Sequence, residues 1–408
     1  MTASAIDATV GAVHSPRLVV SALGITQILA WGSSYYLPAV LAKPIAADTG
    51  WPLTWVVAGL SLGLLTAGLA SPLVGRQIHR HGGRPVLIAS AVQIAAGQIA
   101  LALSPSLPVF IAGWIVIGFG MSAGLYDAAF STLGRLYGPA ARYRITTLTL
   151  FGGLASTACW PLSAFLVSHL GWRGTCASYA AIHLVVTLPI YLLALPRGPL
   201  PSWEGTPVAA APRPAHVRRI DPVFLVLAAA IMIGSMISTV ISVHLLAVLQ
   251  AKGVALAAAV GLGALVGPSQ VGARFVEMLV SRFHHPIWTK VTSVSAVAIG
   301  LGLLWVGIPI IPLALVFYGA GIGLESIARA TLPLALFGAG DYAPIMGRLA
   351  RPSLIAQAAS PSIGAFLMQQ FGSETTLAAV VAVAVFNVGL TLLLFAMTRS
   401  ARTSPSMH

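Results

Sequence analysis

Apolar runs of roughly 20 residues, each long enough to cross a bilayer as a helix, recur along the whole chain. They fall at 18–42, 53–75, 85–104, 108–136, 145–169, 175–195, 222–249, 254–281, 288–307, 310–337, 352–371 and 376–397. Short polar loops separate them. The pattern predicts an all-α polytopic membrane protein with twelve transmembrane helices, because only a helix satisfies every backbone polar group within one segment of lipid-embedded chain.

Composition agrees. Hydrophobic residues make up 57% of the 408 residues and charged residues 8%, against about 25% charged in soluble domains. The charges are also sorted. Of 22 Lys and Arg, 17 fall in loops 75–84, 135–144, 196–221, 282–290 and 338–351 or in the two tails. Only Lys43, Arg173 and Lys252 lie on the opposite side, and Arg274 and Arg329 fall inside spans. Basic loops mark the cytoplasmic face, so an even number of spans places both termini in the cytoplasm. The net charge of +13 is scattered over short loops, which points to topology and anionic lipid headgroups and not to nucleic acid. Residues Met1 to Pro16 lack a basic n-region and read as a short cytoplasmic tail, not a cleavable signal. Cys159 and Cys176 make neither a disulfide framework nor a metal set. Arg outnumbers Lys 19 to 3, which hints at a GC-rich bacterial genome and hence a bacterial inner membrane.

The longest polar stretch, 196–221, is Pro-rich and carries Arg197, Arg213, Arg218 and Arg219. It divides the chain into an N-terminal six-helix bundle (1–195) and a C-terminal one (222–408). The halves echo each other at a nearly constant offset. Gly124-Leu125-Tyr126-Asp127 is answered by Gly323-Leu324-Glu325-Ser326, Thr132-Leu133 by Thr331-Leu332, Pro161 by Pro361, and Ala164-Phe165-Leu166 by Ala365-Phe366-Leu367. Two pseudo-symmetric bundles imply an axis along the membrane normal and a binding site near the midplane. Spans four and ten are rich in glycine (Gly113, Gly118, Gly120, Gly124; Gly319, Gly321, Gly323), which lets helix backbones approach closely in lipid.

The loop Gly75-Arg76-Gln77-Ile78-His79-Arg80-His81-Gly82-Gly83-Arg84-Pro85 resembles the signature between spans two and three of the major facilitator superfamily. Gly75, Arg80, Gly82 and Arg84 stand in the family's places, while His79 replaces its usual Asp. The resemblance implies a gating role for Gly75, Arg76, Arg80, Gly82 and Arg84. A plain topogenic cluster is the alternative. Within the superfamily the chain is similar to the monocarboxylate-porter branch, through Trp31-Gly32 and Tyr36-Leu37-Pro38, the stretch Thr49 to Trp55, Gly171-Trp172-Arg173, and Gln270-Val271-Gly272-Ala273-Arg274 aligned on the branch's Asp-x-x-x-Arg. Two positions depart. The branch's proton-linked Asp is Gln270, and the Lys that follows the span-one Pro in its animal members is Ala39.

Charges inside spans are costly and are functional by default. Arg274 presents a guanidinium fork suited to a carboxylate and is the candidate clamp for an organic anion. An ion pair with Glu277, three residues on, is the alternative, and Glu277 is read as a structural or gating partner. Glu325 and Arg329, four residues apart, can neutralise each other. Glu325 is also a candidate proton carrier, as is Asp127, which has no basic residue within four positions. Trp31 and Tyr35 are candidate substrate contacts, since such rings offer an apolar face with a polar handle; interface anchoring or packing is the commoner role. His183 and His244 are read as hydrogen-bonded packing residues.

No Gly-rich phosphate loop, metal-spaced cluster or paired-carboxylate motif is present in the sequence, so no cofactor is expected. The sequence reads as a monomeric secondary transporter, not an enzyme. Its partners are a small anionic molecule and membrane lipids. Export of drugs or toxic organic compounds is the first rival; a membrane-embedded enzyme or sensor is the rival from another class.

Overall fold

A computed structural model describes residues 15–197, 221–307 and 311–403. Of the basic connector, Arg213, Arg218 and Arg219 lie outside the described residues, as does most of the N-terminal tail. Every regular element among the described residues is helical. In the first half these are α1 (Pro16–Ser33), α2 (Leu37–Thr49), α3 (Leu53–His81), α4 (Gly83–Ala102), α5 (Leu107–Gly124), α6 (Tyr126–Tyr137), α7 (Ala141–Gly153), α8 (Ala155–Ile182) and α9 (Leu188–Ala194). The second half holds α10 (Pro222–Ala251), α11 (Leu256–Gly263), α12 (Val266–Val280), α13 (Pro286–Val306), α14 (Ile311–Phe337) and α15 (Tyr342–Thr403).

These helices map onto the twelve predicted spans, and among the described residues they form eight stretches long and apolar enough to cross a membrane, some holding more than one span. Several spans are joined or broken. Within α8 the chain reverses at Gly171, whose φ of 68° is left-handed and suits a residue without Cβ. Tyr179 on the far side of that turn meets Ser163 at 2.6 Å and donates to the Cys159 carbonyl at 3.3 Å, so spans five and six lie side by side. Gly372 (φ 77°) interrupts α15 in the same way between spans eleven and twelve. Span eight is split into α11 and α12 around Leu265, and neither piece alone is long enough to cross.

Local signals explain the helix starts. Ser15 accepts from the Leu18 amide at 3.2 Å with Pro16 at the first position, and Asp221 accepts from Val223 at 2.9 Å ahead of Pro222. The glycines of spans four and ten sit where backbones touch. A Cβ on Gly97 would lie 2.8 Å from the Gly113 carbonyl oxygen, and one on Gly323 would lie 2.5 Å from that of Gln270. Large apolar side chains such as Leu69, Val185, Leu193 and Phe386 are exposed, which in a membrane protein is the lipid-facing surface.

The chain divides into two compact units: residues 1–204 with 339–358, and 205–338 with 359–408. This differs from a simple cut at the basic connector. Segment 339–358, placed by sequence in the second bundle, packs with unit one. Ser71 donates to the Gly347 carbonyl at 3.0 Å, and a Cβ on Gly75 would lie 2.5 Å from the Ala343 carbonyl oxygen. Small residues at Ser71, Gly75, Ala343 and Gly347 make that approach feasible, and hydropathy alone does not report it.

The turn at Gly171 also positions a polar clamp. Trp172 Nε1 and Arg173 both donate to Asp48 Oδ2, at 2.8 and 2.5 Å, tying α8 to the end of α2. In unit two, Lys252 pairs with Glu374 at 3.3 Å. The three basic residues predicted on the lightly charged side therefore include two with acidic partners nearby.

Candidate functional site

Unit two holds a buried polar network on α12, α13 and α14. Arg274 is 5% exposed. Its Nε donates to the Gly323 carbonyl at 3.4 Å, and one terminal nitrogen donates to Gln270 Oε1 at 3.3 Å. Both distances exceed the usual 2.7–3.2 Å range, so these ties are weak. Glu277, one turn on, is also buried. Its Oε1 accepts from Thr289 Oγ1 at 2.7 Å, and its Oε2 faces His284 Nε2 at 3.4 Å. The carboxylate that sequence spacing offers to Arg274 thus has its own partners on the neighbouring corner and helix.

Glu325 departs from expectation. Its Oε1 pairs with Lys290 and its Oε2 accepts from Ser293 Oγ at 2.9 Å, both on α13, while Arg329 sits one turn along α14 and is half-buried. The sequence pattern places Lys290 at the end of the basic loop 282–290. It is instead 0% exposed, in the first turns of α13. The reason is visible in the segment: Pro286 starts the helix and His285 Nδ1 accepts from the Ile287 amide at 3.2 Å, so Lys290 is already a full turn inside. A buried ammonium needs a counter-charge, and Glu325 supplies it.

In unit one, two spans are interrupted close together. Span one breaks between α1 and α2 at Ser34 to Tyr36; span four breaks between α5 and α6 at Leu125. Each break frees carbonyl groups, and a fully buried glutamine meets each. Gln27 donates to the Gly124 carbonyl at 2.6 Å, and Gln98 donates to that of Ser33. His183, buried in a π-helical turn (His183–Thr187), meets Ser33 Oγ at 2.7 Å, which fits the packing role expected of it. His244 likewise meets the Pro361 carbonyl at 3.1 Å. Gln27 also accepts from Trp31 Nε1 at 3.2 Å.

Aromatic rings surround these breaks. Trp31 lies 5.3 Å from Tyr35, 6.0 Å from Tyr36 and 5.1 Å from Tyr126, centroid to centroid. Tyr126 stacks on Phe130 at 4.9 Å, and Tyr36 meets Trp160 at 6.1 Å. Asp127 lies in the first turn of α6, where the helix dipole favours a negative charge. The structure therefore gathers Trp31, Tyr35 and Asp127 into one region of unit one. Tyr36, Tyr126, Gln27 and Gln98 join them; two glutamines in the middle of apolar spans were the sequence signal for the latter pair.

The residues of the loop signature divide by role. Gly75 is buried against Ala343. Gly82, with φ 81° and ψ 169°, makes the corner between α3 and α4. Arg84 donates to the Leu192 carbonyl at 3.0 Å near the end of α9. Arg76 and Arg80 are exposed.

The chain is 28% identical over 350 residues to human Monocarboxylate transporter 11, a match covering 81% of this chain and 71% of that protein. It is 25% identical over 198 residues to the multidrug efflux pump Tap of Mycolicibacterium fortuitum, covering 48% of this chain and 46% of that one. The fold superposes on the crystal structure of the human organic anion transporter MFSD10 with a TM-score of 0.71 at 16% identity, over 92% of this chain and 99% of the other. The sequence model of the Major Facilitator Superfamily matches residues 23–350. With that match running through both halves, the chain belongs to the Major Facilitator Superfamily: it is a membrane transporter of twelve helices in two bundles, and not an enzyme.

Proposed function

We propose that the chain carries a small organic anion of the monocarboxylate class by alternating access, with Arg274 as the clamp. One observation carries this reading. A guanidinium is buried in unit two beside the Gly323 carbonyl and Gln270, while the adjacent Glu277 is engaged by Thr289 and His284. Holding Arg at membrane depth costs on the order of 2.5–3.5 kcal/mol on insertion scales. A substrate carboxylate would meet the planar guanidinium fork with two parallel bonds and bring a counter-charge that the Gly323 and Gln270 oxygens do not carry. The likeness to a protein named as a monocarboxylate transporter supports the same substrate class. Trp31 and Tyr35 belong to the proposal as contacts for the substrate's apolar part, and Asp127 or Glu325 as the proton carrier. Gly75, Arg76, Arg80, Gly82 and Arg84 serve gating. The setting is a bacterial inner membrane, with the basic loops and both termini in the cytoplasm.

The second reading is export of organic compounds. It is favoured by the aromatic group of Trp31, Tyr35, Tyr36 and Tyr126, which suits a lipophilic cation, with Asp127 next to Tyr126 in the chain, and by the likeness to Tap. Uptake of labelled small carboxylates into proteoliposomes, with and without a pH gradient, separates the two. Arg274→Lys should slow uptake, and Arg274→Gln should abolish it while the purified protein keeps its helical spectrum and monodispersity. Undiminished anion uptake by Arg274→Gln removes the clamp. Movement of lipophilic cations without anions favours export.

A further inference from the structure

The signature loop and the end of span six enclose a cavity lined by none of the residues proposed to bind the substrate. It opens on the side of the basic loops and measures about 250 Å³. Three of its lining side chains are basic: His81, Arg84 and Arg197. Its floor is apolar, built from Leu136 and Leu195 among others. No acidic residue among the described residues lines it.

The placement of the two arginines is what needs explaining. Arg84 donates to the Leu192 carbonyl at 3.0 Å, and Arg197 donates to the same oxygen at 3.3 Å. Two guanidinium groups are thus gathered on one neutral acceptor. Like charges repel at such range, and one carbonyl cannot neutralise either. Arg84 Nε is moreover buried and has no hydrogen-bond partner. The first turn of α4, beginning at Gly83, opens at the same cavity; its leading amides have no intrahelical acceptor and carry the positive end of the helix dipole. Gly83 permits this closeness, because a Cβ there would lie 2.5 Å from Thr132 Cβ. Converging cations, a free guanidinium donor and a helix start form a receptor for a multidentate anion, and Arg forks match the tetrahedral oxygens of phosphate. The apolar floor suits the glycerol and first methylenes that follow a phosphate in a phospholipid. Basic pockets between transmembrane helices on the cytoplasmic side hold acidic headgroups in this manner.

We propose that this cavity is a phosphate site occupied by the headgroup of an anionic phospholipid, which neutralises Arg84 and Arg197 and ties the α3–α4 corner to the end of α9. The inference does not rest on the transported substrate, since the cavity lies wholly within unit one and none of its lining residues is a proposed substrate contact.

The test follows thermal unfolding of the purified full-length protein in detergent on addition of phosphatidylglycerol, phosphatidylcholine or inorganic phosphate. Phosphatidylglycerol should raise the midpoint well above phosphatidylcholine. Arg197→Gln, at an exposed position that folding tolerates, should weaken the apparent phosphatidylglycerol affinity about tenfold, as expected for one charge-assisted contact. Arg84→Gln should weaken it further. Arg282→Gln, an equal loss of charge at an exposed position elsewhere, should leave it unchanged. Equal effects of the two lipids, or full retention of the response in Arg197→Gln, overturn the site. If inorganic phosphate matches phosphatidylglycerol at equal concentration, the occupant is a soluble phosphate and the lipid assignment falls.

Discussion

At the residue scale, the surprise is Lys290. The apolar run 288–307 and the basic loop 282–290 overlap in the sequence, and a lysine at that overlap is naturally assigned to the loop. Its burial follows from where α13 begins, which Pro286 and His285 decide. A charge balance inside the membrane offered a second clue, since Glu325 needed a cation and Arg329 was merely the one on its own helix. The consequence is testable. Breaking a buried ion pair leaves an uncompensated charge and costs about 3–5 kcal/mol. Glu325→Gln should therefore lower the thermal unfolding midpoint sharply, and so should Lys290→Met. The double variant Lys290→Met/Glu325→Gln should recover much of the loss, because neither charge then remains. Additive losses in the double variant would show that the two side chains do not share a pairing energy.

At the scale of elements, helix existence was legible and helix continuity was not. Hydropathy marks Ala-, Leu- and Val-rich runs without regard to a single non-helical residue, so spans one, four and eight read as unbroken. The breaks depend on tertiary partners. Leu125 can leave helical geometry because Gln27 meets the freed Gly124 carbonyl, and Ser33 is relieved by Gln98. A carbonyl left unmet in a buried setting costs about 1–3 kcal/mol. Gln27→Met, which keeps volume and removes the amide, should destabilise the protein by that amount and release Trp31, whose indole donates to the same side chain. A shift in tryptophan fluorescence together with a lower unfolding midpoint is the expected result; an unchanged spectrum and midpoint would mean that the α5–α6 break does not depend on this residue. The signature loop was more readable, since Gly75 and Gly82 are required by a close approach and a left-handed corner. Residue identity at those two positions carries the geometry directly.

At the scale of the molecule, the twofold repeat in the sequence suggested that each half closes on itself, yet segment 339–358 belongs with unit one. This boundary could not be read from apolar periodicity, because a helix packed in one unit and a helix packed in the other share the same composition. What distinguishes the segment is size: Gly347 lies with its Cα against α3, and an added Cβ there would stand 3.2 Å from the Cα atoms of Pro72 and Gly75. A branched side chain at that point forces the two backbones apart, and such overpacking costs about 1–3 kcal/mol. Gly347→Val should therefore loosen a helix whose contact residue Ser71 lies 276 positions earlier in the chain. Hydrogen exchange followed by mass spectrometry should show faster exchange in Leu53–His81, with Pro286–Val306 in unit two unaffected. If protection is lost in the latter and kept in the former, residues 339–358 act as part of the second unit, and the division that places them with the first is wrong.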